Sequence, residues 1–511
     1  MIKPQVIVVG AGPAGLVAAI TLARHGIRTL VLERRQQLSP IPRATGISLR
    51  SMELFRRWGL EPAIREGELA VRTLGWVAPS LSSPTGQAVP MGYPSPTQAR
   101  AISPTTAVAA PQDHLEPVLL AYARTLPAVR VEFGTVVRTV TTDGEGVAVT
   151  LDRDGETSHV RADYVIGADG AHSVVRGAAG IHMVGPDNLG DYLAVVFRAA
   201  MEPVIADRRY AIYMIQRPGP PAVFLPTDNR DRWMFSLPWN PATDRMADYP
   251  PERLRRLILE YAGDPLLDPT LERVGAFSFA AQVAERYRAD RVFLVGDAAH
   301  RMTPRGGAGM NTAIHDGFDL GWKLAWTLRG WAGPALLDSY EAERRPIGVR
   351  NTERSALEQP NRDVSADYLE ELGDRITHAW LPDGRSTLDL VSAGLTLVTG
   401  PRGRVWNEAV AALAGPPPVT VRGTDATTAD RLGIAPAGAL LVRPDGQVLA
   451  RWPDPTGIDA LARVVRDFRA STPINNKGLP CTATITNGLP FKRGHTRPDG
   501  ARGQDHRTRT A

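Results

Sequence analysis

The chain has 511 residues, 43% hydrophobic and 22% charged, enough to bury sizeable cores in two to four domains and unlike a disordered polymer. No apolar run approaches the roughly 20 residues of a membrane span, and the single cysteine, Cys481, excludes an intrachain disulfide framework or a cysteine-rich metal site. The net charge of +5 resides in the tail: residues 471–511 carry seven Lys/Arg against Asp499 and Asp505, so the body is charge-balanced. The tail lacks hydrophobic periodicity and interleaved aromatics and reads as a solvated, basic, disordered end with no nucleic-acid function.

Val6-Ile7-Val8-Val9 predicts a first strand directly after the N-terminus, where a signal peptide would show a small-residue cleavage site. A loop over 10–15 follows, then a helix to His25 with Leu16, Ala19, Ile20 and Ala23 on one face. Gly26 is placed to end it as a left-handed cap. Thr29-Leu30-Val31-Leu32, closed by Glu33, is a second buried strand. The resulting βαβ unit implies a parallel sheet.

Residues 79–96 are rich in Pro, Ser and Gly and predict an irregular loop or edge segment. Between about 186 and 270, short runs at 210–215, 222–225 and 232–237 alternate with Pro/Gly turns, which is antiparallel-sheet composition. Two later apolar strands, 164–166 and 292–295, run into Asp169-Gly170 and Gly296-Asp297. Beyond 310, Ile314, Phe318, Trp322, Ala325 and Leu328 follow helical spacing. Pro416-Pro417-Pro418 is read as a boundary or linker, 439–449 as a hairpin turning at 443–446, and 458–468 as a closing helix.

Gly10-Ala11-Gly12-Pro13-Ala14-Gly15 between strand and helix is a dinucleotide fingerprint. Its glycines permit a tight turn and close approach of a pyrophosphate, which the helix N-terminus attracts. Glu33, 23 positions after Gly10, would accept from a ribose hydroxyl and disfavours a 2′-phosphate, so FAD or NAD fits better than NADP here. Asp169-Gly170 and Gly296-Asp297 stand at strand ends, where open α/β sheets bind ligands, and Asp297 is suited to a polyol chain. Pro304-Arg305-Gly306-Gly307-Ala308-Gly309-Met310-Asn311 then opens a helix whose N-terminus would stabilise negative charge on a flat ring.

These motifs, in this order over roughly residues 4–350, resemble those of the single-component FAD aromatic hydroxylases typified by para-hydroxybenzoate hydroxylase. Tyr164-Val165-Ile166-Gly167-Ala168-Asp169-Gly170-Ala171-His172-Ser173-Val174-Val175-Arg176 resembles the middle motif, implicated in FAD and NADPH handling. Gly296-Asp297-Ala298-Ala299-His300 with the loop 304–311 resembles the third motif. Pro42-Arg43-Ala44 and Gly46-Ile47-Ser48 resemble the segment on the flavin side, and Gln112 the glutamine that reaches FAD. Arg34 joins this cofactor-binding set beside Glu33. The C-terminal segment is similar to the thioredoxin-like extension of the branch that hydroxylates polyketide aromatics; it lacks Cys-x-x-Cys, so no thiol redox chemistry is expected.

The resemblance implies an α/β fold: an FAD-binding Rossmann-like domain of glutathione-reductase type over 1–185 and 271–395, its 70–110 stretch contributing to the substrate side. It further implies an antiparallel substrate sheet inserted at 186–270 and a thioredoxin-like domain at 396–470. The implied cofactors are FAD and NADPH, with oxygen captured as a flavin hydroperoxide and passed to a polycyclic phenol. A cytoplasmic enzyme with no nucleic-acid or membrane partner is expected, its oligomeric state undecided. Ring hydroxylation is favoured, with Baeyer–Villiger insertion not separable from it; a non-catalytic flavin protein and an oxygen-independent reductase are the rivals.

Because the cofactor carries the difficult step, no catalytic triad is needed, and His300 is read as a loop hydrogen-bonding residue rather than a base. Tyr213 falls near a substrate-facing tyrosine of simpler phenol hydroxylases, but also suits an ordinary sheet position. Trp233 and Phe235 share a sheet face and either line an aromatic pocket or fill the core. The segment 233–238 approaches the Trp-x-Trp-x-Ile-Pro signature of flavin-dependent halogenases. Its second Trp is Phe, its Ile is Leu, and no halogenase lysine is identifiable, so that reading is set aside.

Overall fold

The computed structural model describes residues 3–357 and 371–470. The expectations for the basic tail and for Cys481 lie outside the described residues. Three sheets organise the rest. The first has six strands in the order Arg288–Ala289, Val292–Leu294, Tyr164–Gly167, Val6–Val9, Thr29–Leu32, Val129–Glu132, parallel except at its first pair. Val6 to Val9 are buried on both faces, which explains their unbroken apolar run.

The helix Pro13–Arg24 packs on this sheet and is crossed by the helix Gly309–Leu328. The crossing is close because small residues meet there. A Cβ on Gly317 would stand 2.3 Å from the Ala14 carbonyl oxygen, and one on Gly321 2.7 Å from Thr21 Cβ. Helix 309–328 is buried nearly all round. One side, with Ile314, Phe318 and Leu324, belongs to the core of the first sheet, while Trp322 and Trp326 belong to a second core with Leu395, Trp406 and Leu441.

The second sheet has seven strands, ordered Thr270–Ser278, Asp191–Arg198, Arg232–Pro238, Ala222–Pro226, Tyr210–Ile215, Arg72–Ala78, Gln87–Pro90. Residues 72–78 and 87–90 thus join it from the N-terminal part, and 87–90 is an edge strand inside the Pro/Ser/Gly-rich stretch. The sheet extends to Ser278, past the expected limit at 270, and its 72–78/210–215 pair is parallel, so it is not purely antiparallel.

The third sheet orders Val419–Gly423, Leu395–Thr399, Ala439–Val442, Val448–Trp452; the hairpin expected over 439–449 is present and runs on to Trp452, and the closing helix expected over 458–468 is Ile458–Ala470. The triple proline is no boundary. It lies within this layer, between the helix Val405–Ala411 and the strand Val419–Gly423, where proline can begin a strand without removing a ladder bond.

The turn of that hairpin is clamped to the rest by buried charges. Lys323 Nζ lies 2.8 Å from Asp319 Oδ2 and 3.0 Å from Glu343 Oε2. Arg443 is bidentate to Glu343 (2.9 and 2.8 Å) and pairs with Asp445. Two cations therefore occupy the space among three carboxylates, leaving one negative charge in excess. Arg57 donates to the Pro444 carbonyl at 2.8 Å, its guanidinium pulled down to about 10 by burial and by Arg50 beside it.

Burial raises Asp319 to about 6, against the favourable field of Lys323. A carboxyl raised on folding stabilises the fold below its unfolded value and loses that contribution as pH climbs through its folded value. Asp319→Asn is therefore expected to melt above the parent at pH 8, with the gap closing near pH 5, in thermal scans at both values. An unchanged gap would show that Lys323 fully compensates the charge.

Among the described residues, no helix is long and apolar enough to cross a membrane.

Candidate active site

The parallel register aligns Val9, Gly167 and Leu294, so the three motifs that follow these strands emerge at one edge of the first sheet. They touch. A Cβ on Gly10, whose φ is +107°, would stand 2.2 Å from the Ala168 carbonyl oxygen. One on Gly296 would stand 3.1 Å from Ala14 Cβ, and one on Gly15 2.0 Å from the Gly10 oxygen. Gly12 differs: nothing lies within 4 Å of its Cβ position. Of the three fingerprint glycines, Gly10 and Gly15 thus serve the fold, and Gly12 leaves room for a ligand.

Gly12 is also the N-cap of helix 13–24, with Pro13 at its first turn and no capping side chain, so the terminal N–H groups are free for an anion. Glu33 is buried; its Oε2 accepts from Ala11 N at 2.9 Å and its Oε1 from Arg35 N at 3.0 Å. It braces the glycine loop from within. Arg34, Arg43 and Pro304 are exposed.

Asp169 turns inward. Its Oδ2 accepts from Val175 N at 3.2 Å, its other oxygen accepts from Ser173, and burial raises its carboxyl. Asp297 is exposed while Gly296 and Ala298 beside it are buried, and it makes no hydrogen bond among the described residues. Of the two motif aspartates, it is the one open to a polyol. Gln112 N donates to the Ala44 oxygen at 2.7 Å, while its side chain donates to Glu116 Oε1 at 2.6 Å; burial raises Glu116.

In the third motif, Gly307 takes φ +57° and Ala308 caps helix 309–328 without a side-chain bond, leaving its first N–H groups free. Gly306 is buried, whereas Gly309 and Met310 are partly exposed. Asn311 is turned to protein. Its Oδ1 accepts from Ser48 N (2.8 Å) and Ser51 Oγ (2.9 Å), and its Nδ2 donates to the Gly46 oxygen (3.0 Å). It sews the Gly46-Ile47-Ser48 segment to the helix that carries the loop.

Sequence reasoning missed the support beneath this loop. Asp316 Oδ2 is 2.6 Å from His300 Nε2 and accepts from Gly296 N at 3.2 Å; Oδ1 accepts from Arg344 Nε at 2.9 Å. His300 and Asp316 are fully buried. The His300 and Arg344 charges hold the Asp316 carboxyl below its ordinary value despite burial. His300 is thus a hydrogen-bonding residue of the loop's foundation. The one available signal was the charged row Asp316, Asp319 and Lys323 at helical spacing in a helix otherwise rich in apolar residues.

The seven-stranded sheet offers this edge one face. Arg232 reaches from it to Asp113 (2.8 Å) and the Pro40 carbonyl (2.9 Å), beside Gln112 and the flavin-side segment. Sharing its parity are Met234 and Ser236, and across the register Leu225, Val223, Met214, Ile212 and Ala194. Tyr213, Trp233 and Phe235 have the opposite parity. They fill the core against Leu254, Ile258 and Tyr261 of the helix Pro251–Ala262. Tyr213 accepts from Tyr210 N at 3.0 Å and donates to the Arg208 carbonyl. The three aromatic candidates are core residues because the helix covers their face, which period-2 patterning cannot reveal. Tyr213→Phe is expected to cost about 1–2 kcal/mol of stability through the lost hydroxyl bonds, with kcat unchanged; a denaturation curve and a turnover assay check both halves.

Residues 3–355 match the family model described as FAD binding domain, and residues 370–469 match the aromatic-ring hydroxylase C-terminal model. Aklavinone 12-hydroxylase of Streptomyces purpurascens is 34% identical over 88% of this chain and 95% of its own. Tetracenomycin A2 monooxygenase-dioxygenase of Streptomyces glaucescens is 33% identical over 87% and 93%. A crystal structure of aklavinone-11 hydroxylase with FAD and aklavinone superposes with TM-score 0.83 at 32% identity, covering 92% of this chain and all of that one. Three contacting strand ends, an open Gly12 and a glycine loop at a helix N-terminus fit FAD, and with these likenesses the chain belongs to the FAD-dependent aromatic hydroxylases, in their polyketide hydroxylase branch.

Proposed function

We propose that this protein is an NADPH-consuming monooxygenase that adds one oxygen atom to the ring of a polycyclic, polyketide-type phenol. The observation that carries this is the opposition of the FAD cradle to a largely apolar sheet face, with Met214, Val223, Leu225 and Met234 around Ser236. Such a face accepts a flat apolar ring and excludes water, and Ser236 supplies a polar point to orient it. FAD, reduced by NADPH, supplies the oxygen activation when bound.

This chain's residues do the rest. The free N–H groups of Gly12, Ala14 and Gly15 hold the pyrophosphate, Asp297 takes the polyol, and the N-terminus of helix 309–328 stabilises negative charge at the ring. Gln112, Arg34 and Arg43 complete the cofactor set, and we read the C-terminal layer as thioredoxin-like, serving to anchor helix 309–328. The productive geometry is enforced by holding the phenol against the flavin, not by a protein acid or base.

NADPH consumption in air by the purified yellow protein, with and without a panel of polycyclic phenols and with peroxide counted, tests this. The expected result is stimulated oxidation with less peroxide than NADPH and a product one oxygen heavier, whose structure separates ring hydroxylation from insertion. No stimulation by any such phenol would overturn the substrate class. Met234→Trp is expected to lower kcat/KM for the accepted phenol by about tenfold or more, since a misplaced ring costs on that scale, with FAD content unchanged.

A further inference from the structure

A second group of aromatics stands outside the helix-covered core. Tyr192 and Phe277 are register partners on the sheet face that looks toward the cradle, and Phe279 follows just beyond the strand. The Tyr192 ring stacks on Phe279 with centroids 4.1 Å apart and lies 5.7 Å from Phe277; Phe277 and Phe279 are 5.6 Å apart. Gly190 backs the group, and a Cβ there would stand 3.2 Å from the Tyr192 ring. Phe277 is nevertheless 37% exposed on an edge strand.

The trio joins the flavin loop through Arg305, whose guanidinium lies 5.7 Å from the Phe279 ring centre. Among the described residues that guanidinium makes no hydrogen bond or ion pair, and the Tyr192 hydroxyl has no partner either. A planar cation with unused donors and a half-exposed aromatic stack suit a flat ligand that carries acidic oxygens. We propose that Arg305, with Tyr192, Phe277 and Phe279, forms a receiving platform that selects fused-ring phenols and holds them as phenolates at the approach to the flavin. This rests on the activity proposed above and names the residues that separate polycyclic from single-ring substrates.

The FAD-loaded full chain is titrated with alizarin, a fused-ring phenol, and resorcinol, a single-ring one, following the visible flavin and alizarin bands. Phe279→Leu keeps apolar bulk without the ring, and Phe277→Ala removes the exposed member. Each is expected to weaken alizarin by about tenfold and resorcinol by less than about twofold, the scale of one lost stacking partner. Arg305→Met should move the pH midpoint of bound alizarin's colour change upward by about one, because an adjacent cation favours the phenolate; a merely structural role would not move it. FAD content and melting temperature report on folding.

If the parent enzyme is stimulated by polycyclic phenols but the variants titrate as it does, only the platform is overturned. Equal losses for both probes, or a changed KM for NADPH alone, overturn it too. If no polycyclic phenol stimulates the parent, the proposed activity fails and the platform with it.

Discussion

Replacing Gly12 by aspartate is expected to yield a folded, colourless protein. No atom lies within 4 Å of the Gly12 Cβ position, so the substitution meets no clash. Its φ of −76° is ordinary for any residue, so there is no backbone strain. What changes is charge: a carboxylate would stand at the helix N-terminus that must receive a pyrophosphate, and would itself occupy the free N–H groups as an N-cap. FAD retention should fall by at least about a hundredfold, the scale of two or three lost charge-assisted hydrogen bonds. Flavin absorbance after gel filtration, beside a melting curve of the apoprotein, reads both halves. Gly15→Ala gives the contrast, because its methyl would lie 2.0 Å from the Gly10 oxygen and should lower stability itself. A yellow Gly12→Asp protein would refute the placement of the pyrophosphate.

The second large effect is expected at Arg344. Arg344→Met removes the guanidinium that meets Asp316 Oδ1 at 2.9 Å and the Thr312 carbonyl at 3.2 Å, and leaves a fully buried carboxylate with His300 as its remaining side-chain partner among the described residues. Breaking one side of a buried pair costs about 3–5 kcal/mol. Gly296 N donates to the same carboxylate, so the third motif should loosen with it and FAD should dissociate more readily. The double variant with Asp316→Asn should recover part of the loss, since the carboxylate deprived of its guanidinium is then gone. Urea unfolding of the three variants measures the coupling. In the parent, Asp316 is held below its ordinary value, so its contribution is present at neutral pH and is lost as pH falls through the carboxylate range.

Local chemistry made much of this legible from the sequence. The run 6–9, the glycines 10–15 and the strand 29–32 define a βαβ unit because burial, turn geometry and helix capping act over a few residues; Gly26 does cap the helix with φ +76°. The hairpin 439–452 and the helix 309–328 were readable for the same reason.

Three features needed the tertiary structure. Alternation told that Trp233 and Phe235 share a face, but only the packing of helix 251–262 decided that this face is core and that Met234 and Ser236 look toward the cradle. Asn311 resembled a cofactor ligand by motif, yet its bonds go to Ser48, 263 residues away. The triple proline read as a linker because local stiffness says nothing about which sheet a segment joins. The sequence by itself determined the elements and the FAD fingerprint, since those depend on near neighbours. Which face of each element meets the ligand was decided by what covers the other face, and that depends on contacts between residues far apart in the chain.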